Sequence, residues 1–190
     1  MSGKLRGAAV LGAIVLIAAA LVSAAGATGG QAIARLSGTE TVIDESNGIF
    51  ALHGSLVGTQ YTTSFVPQYL SSSSIVATGT ELFVGCLDAN ANATCDAGEP
   101  SGTIDFKFVY WATYDPVTQA LIHGACVHPV VGGTGSFAKS RGVIFMTDTP
   151  TAGGVVTTYT GTLTYGSGAV QSVRLPAAGA SRAGAGACGS

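Results

Sequence analysis

The chain has 190 residues, of which 47% are hydrophobic and only 9% charged, with a formal net charge of −2. About a quarter of the residues in an average globular protein are charged, so the polar surface here must come from Thr, Ser, Gly and Asn. Lys and Arg never cluster, which excludes nucleic acid as a partner, because phosphate binding needs several of them on one face.

The N-terminus reads as a secretory signal over residues 1–27. Lys4 and Arg6 precede an apolar run from about Ala8 to Val22, and Ala25-Gly26-Ala27 supplies the small-x-small cleavage site. The run is short and Ala-rich for a membrane span, and no later segment is apolar enough to cross a bilayer. The expectation is a secreted protein with no stable membrane span in the mature chain. Removing the signal leaves Arg35, Lys107, Lys139, Arg141, Arg174 and Arg182 as the basic residues against ten acids. So weakly charged a surface suits either a Thr-rich monomer or a homo-oligomer.

Residues 28–175 read as one domain, all β. Short segments rich in Val, Ile, Thr, Tyr and Phe alternate with Gly, Asn, Asp, Ser or Pro clusters, and no helical period of ten residues stands out. The expected strands are Gly38 to Asp44, Gly48 to Thr59, Gln60 to Tyr69, Ser74 to Leu87, Thr103 to Thr113, Gln119 to Val130, Arg141 to Thr147 and Val155 to Tyr165, with Val170 to Leu175 as one more. In the last clear strand Thr158, Thr160, Thr162 and Thr164 share one parity, while Tyr159, Leu163 and Tyr165 share the other. That is a half-buried strand with a polar outer face. In Thr103 to Thr113, Ile104, Phe106, Phe108 and Tyr110 form one face. Asp105, Lys107, Val109 and Trp111 form the other, which is only half polar and invites a covering neighbour. So many turn-linked strands imply an antiparallel barrel or sandwich, and glycines inside strands suit a closed barrel. Residues 176–190, mostly Ala, Gly and Ser, lack side chains large enough to offset ordering entropy and read as a disordered tail.

All four cysteines, Cys86, Cys95, Cys126 and Cys188, fall in the mature chain. In an oxidising compartment an even count suggests disulfides. Cys86 with Cys95 is the local pairing; Cys126 with Cys188 would then tie the tail to the body.

Between strands lies the most patterned stretch, GCLDANANATCDAGEP. Counted from Asp88, oxygen ligands stand where an EF-hand loop asks for them: Asp88, Asn90, Asn92, the carbonyl of Thr94, Asp96 and Glu99. Ala93 replaces the glycine of the sharp turn, at a cost of about 1–2 kcal/mol if it is forced to positive φ, and strands rather than helices flank the loop. Two readings stay open: a calcium site, or a solvated turn in which Asn and Asp bond their own backbone. No other cofactor is expected.

The stretch VVGGTGSFAKSRGVIFMTD carries glycines at dinucleotide-like and phosphate-loop-like spacings, but those motifs need a helix to follow, and Gly142 to Thr147 is β-like. The matches Gly132, Gly133, Thr134, Gly135, Phe137, Arg141, Gly142, Thr147 and Asp148 instead resemble the dirigent and allene-oxide-cyclase barrel family. That resemblance implies a closed antiparallel barrel of about eight strands with an apolar lumen, often trimeric, and an activity that steers or cyclises apolar intermediates. It carries over Arg141 and Asp148 as candidate catalytic polar groups, with Phe137 plugging the barrel end. Ser136 and Lys139-Ser140 depart from the family pattern.

Neither a zinc spacing nor a nucleophile elbow is present. His123 and His128 have opposite parity and so face opposite sides of a strand. Glu40, Glu81 and Asp105 are the carboxylates that could serve as a lumenal base. The expected role is to bind or shield a small apolar molecule in the lumen. The rivals are an isomerase or cyclase, and a structural or cell-surface module with a filled barrel.

Overall fold

The computed structural model describes residues 30–166. The expected signal peptide, the strand from Val170 to Leu175, the tail and Cys188 lie outside the described residues.

Eight strands close into an antiparallel barrel in simple sequence order. They are β1 (Gln31–Asp44), β2 (Ile49–Gly54), β3 (Leu56–Ser71), β4 (Ser74–Leu87), β5 (Ser101–Tyr114), β6 (Leu121–Gly133), β7 (Arg141–Thr151) and β8 (Gly154–Gly166). The ladder closes where β1 meets β8, from Gln31↔Gly166 to Glu40↔Thr157. Among the described residues no helix is long and apolar enough to cross a membrane; the helical content is two single 3-10 turns, Glu45–Asn47 and Gly135–Phe137.

The expected strands differ from the observed ones in one instructive place. The chain does not break between Thr59 and Gln60, where both residues continue the β3–β4 ladder opposite Val84 and Phe83. It breaks at Ser55, because Gly54 adopts φ 105°, a left-handed conformation open to glycine at low cost. The Ser55 N–H then bonds the Ser37 carbonyl on β1, which fixes the corner. β1 also starts earlier than Gly38, since its first half is needed to close the barrel against β8.

Inward positions follow the two-residue period. On β5, Ile104, Phe106, Phe108 and Tyr110 are buried, while Lys107, Val109 and Trp111 are exposed. Asp105 belongs to the exposed parity, which corrects its candidacy as a lumenal base. On β8, Thr157, Tyr159 and Leu163 face inward, and Thr158, Thr160 and Thr162 face outward. The outer face also carries an apolar band. Val109, Val127 and Phe145 stand in register across β5, β6 and β7, with Val66 continuing the row beyond Thr78.

The two ends differ. At one end, here the base, lie the β2–β3, β4–β5 and β6–β7 connections. Phe137 is fully buried there. Its turn needs Gly135 at φ 59°, and a Cβ on Gly135 would sit 2.5 Å from the Ser101 carbonyl oxygen. The Tyr159 hydroxyl reaches past β1 to the β2–β3 corner, accepting from Leu56 N–H at 2.9 Å and donating to the His53 carbonyl at 3.1 Å. Gly38 makes room for it, since a Cβ there would fall 2.5 Å from the tyrosine ring. The Cys86–Cys95 disulfide closes the long hairpin at this end. The opposite end, the mouth, holds the β1–β2, β3–β4, β5–β6 and β7–β8 turns.

Candidate functional site

The lumen is lined by aromatic and aliphatic side chains, yet a polar cluster sits among them. Gln60 on β3 donates from Nε2 to Glu81 Oε2 on β4 at 2.8 Å, and more weakly to Glu40 Oε2 on β1 at 3.4 Å. His128 on β6 places Nε2 2.9 Å from Glu81 Oε2. That is ion-pair distance, an ion pair only when the imidazole is protonated. These links skip strands: β1 to β3 passes over β2, and β4 to β6 passes over β5. Only side chains inside the barrel can make them. Thr62 adds a long 3.5 Å contact to Glu81 Oε1. The imidazole lies between Phe106 and Phe108, with ring centroids 6.0 and 5.9 Å away.

Each of these groups is nearly solvent-free, with Glu40 at 4%, Glu81 at 2% and Gln60 and His128 at 1% exposure. Glu40 Oε1, Gln60 Oε1 and His128 Nδ1 have no hydrogen-bond partner among the described residues. Burying an unpaired polar atom costs about 1–3 kcal/mol, and more for a charged one. Burial pushes the Glu40 carboxyl well above the usual carboxylate range, and the nearby Glu81 and Asp148 carboxylates push in the same direction. Glu40 is therefore held protonated well above its ordinary pKa. Asp148 on β7 is fully buried and accepts from Thr157 Oγ1 at 2.7 Å.

At the mouth, a cavity of about 260 Å³ is lined by Tyr69, Ser71, Ser72, Ser74, Ile75, Tyr110, Tyr114 and Gln119, and by none of the cluster residues. Tyr110 belongs to both regions. Its ring is buried in the lumen, it lines the mouth, and its hydroxyl lies 3.5 Å from that of Tyr114. Burial raises its pKa, with Tyr114 and Asp148 adding to the effect. Gln119 adopts φ 58°, held by its N–H on the Asp115 carbonyl. A non-glycine residue in that region costs about 1 kcal/mol or more. The mouth's β5–β6 loop is thus kept in a strained shape that its own hydrogen bonds impose.

The residues expected from the sequence fall in different places. Arg141 and Asp148 are not together. Asp148 is in the lumen, whereas Arg141 is exposed at the base, where its guanidinium donates to the Ser140 and Val131 carbonyls at 2.7 and 3.4 Å and latches the β6–β7 turn. Glu40 and Glu81 are lumenal and share Gln60. His123 is exposed and His128 buried, as opposite parity requires.

In the 88–99 loop the liganding oxygens are largely occupied by N–H groups. Asp88 accepts from the Asn92 and Ala93 backbone, and Glu99 accepts from Ala89 and Asp96. The Asn90 and Asn92 amides bond Asp96 Oδ2 at 2.8 and 2.7 Å and lower its pKa. The Thr94 hydroxyl bonds Asn92 Oδ1. Ala93 does take positive φ, 61°. Among the described residues, no group of three or more His, Cys, Asp or Glu converges to hold a metal ion. Cys86 pairs with Cys95, and Cys126, buried on β6, is not a free thiol.

Gln60, Tyr110 and the pairing of Glu81 with His128 escape a reading of the sequence for motifs. Parity could have found them. Gln60 shares its face with Leu56, Glu81 with Phe83 and His128 with Val130, so each is a polar residue at an apolar position. Comparison of the chain with family models, characterised proteins and solved structures finds no match.

Proposed function

We propose that this barrel binds a small molecule whose body sits at the tyrosine-lined mouth and whose polar group meets the Glu40–Gln60–Glu81–His128 cluster. The observation that carries the reading is the set of buried, unpartnered atoms, Glu40 Oε1, Gln60 Oε1 and His128 Nδ1. A barrel that served only as a scaffold would gain stability by replacing them with apolar side chains. Concave apolar sites with a few converging polar groups are the usual setting for a ligand. Native mass spectrometry of protein purified from its own cells tests this: a co-purified small molecule is expected, and a bare chain from every preparation would argue for the structural module. The fully packed base of the barrel is what favours that rival.

An isomerase or cyclase is the second reading. It is favoured by a protonated carboxyl, Glu40, standing one glutamine away from a carboxylate–imidazole contact, an arrangement that separates a proton donor from an acceptor. Its arginine partner is not at the site. Within the same proposal the chain is secreted and dirigent-like, and the Val109–Val127–Phe145 band is the contact of a homo-oligomer, a trimer in that family. Sedimentation velocity reads the oligomeric state directly. Calcium at the 88–99 loop is a separate proposal. The ion would have to displace the N–H groups now on Asp88 and Glu99, so a melting temperature unmoved by millimolar calcium would reject it.

A further inference from the structure

The binding reading makes no use of Cys126. The chain has four cysteines. Cys86 pairs with Cys95, and Cys126 is not a free thiol either. Cys188 is then the cysteine left in the chain to pair with it. Cys126 is 1% exposed and shares its inward face with His128 and Val130. It therefore looks into the lumen of a closed barrel, and a partner has to enter from one end. Toward the base that lumen is filled by large buried side chains, among them Phe106, Phe108, Ile144 and Leu163, with Phe137 closing the end. Toward the mouth the neighbours are smaller. Ala112 and Gly124 come next along β5 and β6, and both are buried. Tyr110, directly opposite Cys126 in the ladder, lines the mouth cavity.

We propose that the mouth is the docking site of this chain's own C-terminal tail, which enters between the strand ends and is held by a Cys126–Cys188 disulfide inside the lumen. The tail leaves β8 at Gly166, at the base. Tyr159 on β8 stands level with Cys126, through Met146. A path up the outer wall of β8, across two strands and back down to that level is roughly 65 Å at the usual rise and strand spacing. The stretch from Gly166 to Cys188 spans at most roughly 75 Å when extended, so it reaches. Residues 183–187 are only alanine and glycine, a strand slim enough for a narrow opening between aromatic side chains. Arg182 stands six residues before Cys188, about 20 Å when extended. Cys126 lies about 17 Å along β6 from Leu121 at the mouth, which brings Arg182 to the rim. The charged residues there are Asp44, Glu45 and Asp115, with no lysine or arginine in the turns of that end. An arginine is the charge such a rim favours. The bond forms by thiol–disulfide exchange. Two thiols give up two protons and two electrons, and a disulfide oxidant such as oxidised glutathione is reduced to two thiols. A slim tail narrows the mouth, and the small-molecule reading keeps its own test.

The full chain, oxidised in a glutathione redox couple, tests this. Free thiols are blocked with N-ethylmaleimide, the protein is digested with trypsin, and linked peptides are read by mass spectrometry. The expected result is peptide 108–139 joined to peptide 183–190, in protein that runs as a monomer on a non-reducing gel. Location is read by comparison with Cys188→Ser, whose substitution lies outside the barrel. In that variant the amides of Ser74, Asp115 and Gln119 at the rim are expected to shift, with Phe137 and Leu163 unmoved, which shows that the barrel is folded. Native trypsin should cut after Arg182 at least about tenfold faster in the variant than in the wild type, as for a segment released from protection. Maleimide on Cys126 of the oxidised wild type would overturn the disulfide. A link found only in disulfide-joined dimers would assign the mouth to a second copy's tail instead. A link within monomers, with rim amides unmoved or Arg182 cut equally fast in both proteins, would overturn the mouth as the docking site.

Discussion

The base and the mouth of the barrel are built from the same eight strands but to different standards. At the base every large element is tied: Phe137 is fully enclosed, the Tyr159 hydroxyl holds the β2–β3 corner, and a disulfide clips the long hairpin. At the mouth, Tyr69 is 77% exposed and Val117 88%, a cavity remains between the strand ends, and Gln119 sits in a strained conformation. Between the two lies a polar cluster with unpaired atoms. One end is optimised for stability. The other keeps space and unsatisfied groups that a purely structural barrel has reason to eliminate.

The largest effect that sharpens this contrast is expected at the base. Phe137→Ala should cost about 3–5 kcal/mol, as for a fully buried aromatic truncated to a cavity, read by urea unfolding. Removing the disulfide with Cys86→Ala and Cys95→Ala together should cost about 2–3 kcal/mol, the loop-closure value for a short loop. Tyr69→Ser at the mouth should change stability by no more than about 0.5 kcal/mol, as for surface residues, while weakening ligand binding. Equal destabilisation by Phe137→Ala and Tyr69→Ser would erase the distinction between the ends.

The cluster makes a prediction in pH. The folded pKa of Glu40 is raised, so between the ordinary carboxylate pKa near 4.3 and that raised value the native state holds a proton the unfolded chain has lost. Stability from this group is therefore present at low pH and falls as pH rises through the window. Glu40→Gln removes the dependence. Its melting temperature should exceed the wild type's near pH 7–8, with the gap closing toward pH 4. Asp44, Asp96 and Asp115 act oppositely, because hydrogen bonds lower their pKa values and their contribution is lost only as pH falls below the ordinary aspartate range. A melting temperature for Glu40→Gln below the wild type's throughout would mean that the carboxyl serves structure rather than a site.

Much of this architecture is legible in the sequence because strand parity is a local signal. The inward set of β5 and the Thr-rich outer face of β8 follow from alternation alone, and the nine-residue separation of Cys86 and Cys95 makes their pairing the local choice. The site is less legible because it is assembled across strands. Glu40, Gln60, Glu81 and His128 lie on four strands, and two of their contacts pass over an intervening one, so no sequence spacing encodes them. The family-like motif points elsewhere. Its Arg141 is a latch on the β6–β7 turn, whereas Asp148, seven residues later, alternates into the lumen. The β2–β3 corner is illegible for a related reason: Gly54 makes the turn, but Tyr159, which holds it, stands on β8, more than a hundred residues away in sequence.

The most direct test is amide NMR with a small one-ring aromatic alcohol, benzyl alcohol, added stepwise as a probe of the mouth. The account predicts saturable shifts at Tyr69, Tyr110, Tyr114, Glu40 and Gln60, with Phe137, Leu163 and the Cys86–Cys95 hairpin unmoved. Shifts confined to the base or to the outer Val109–Phe145 band, or no saturable shift at all, would contradict it.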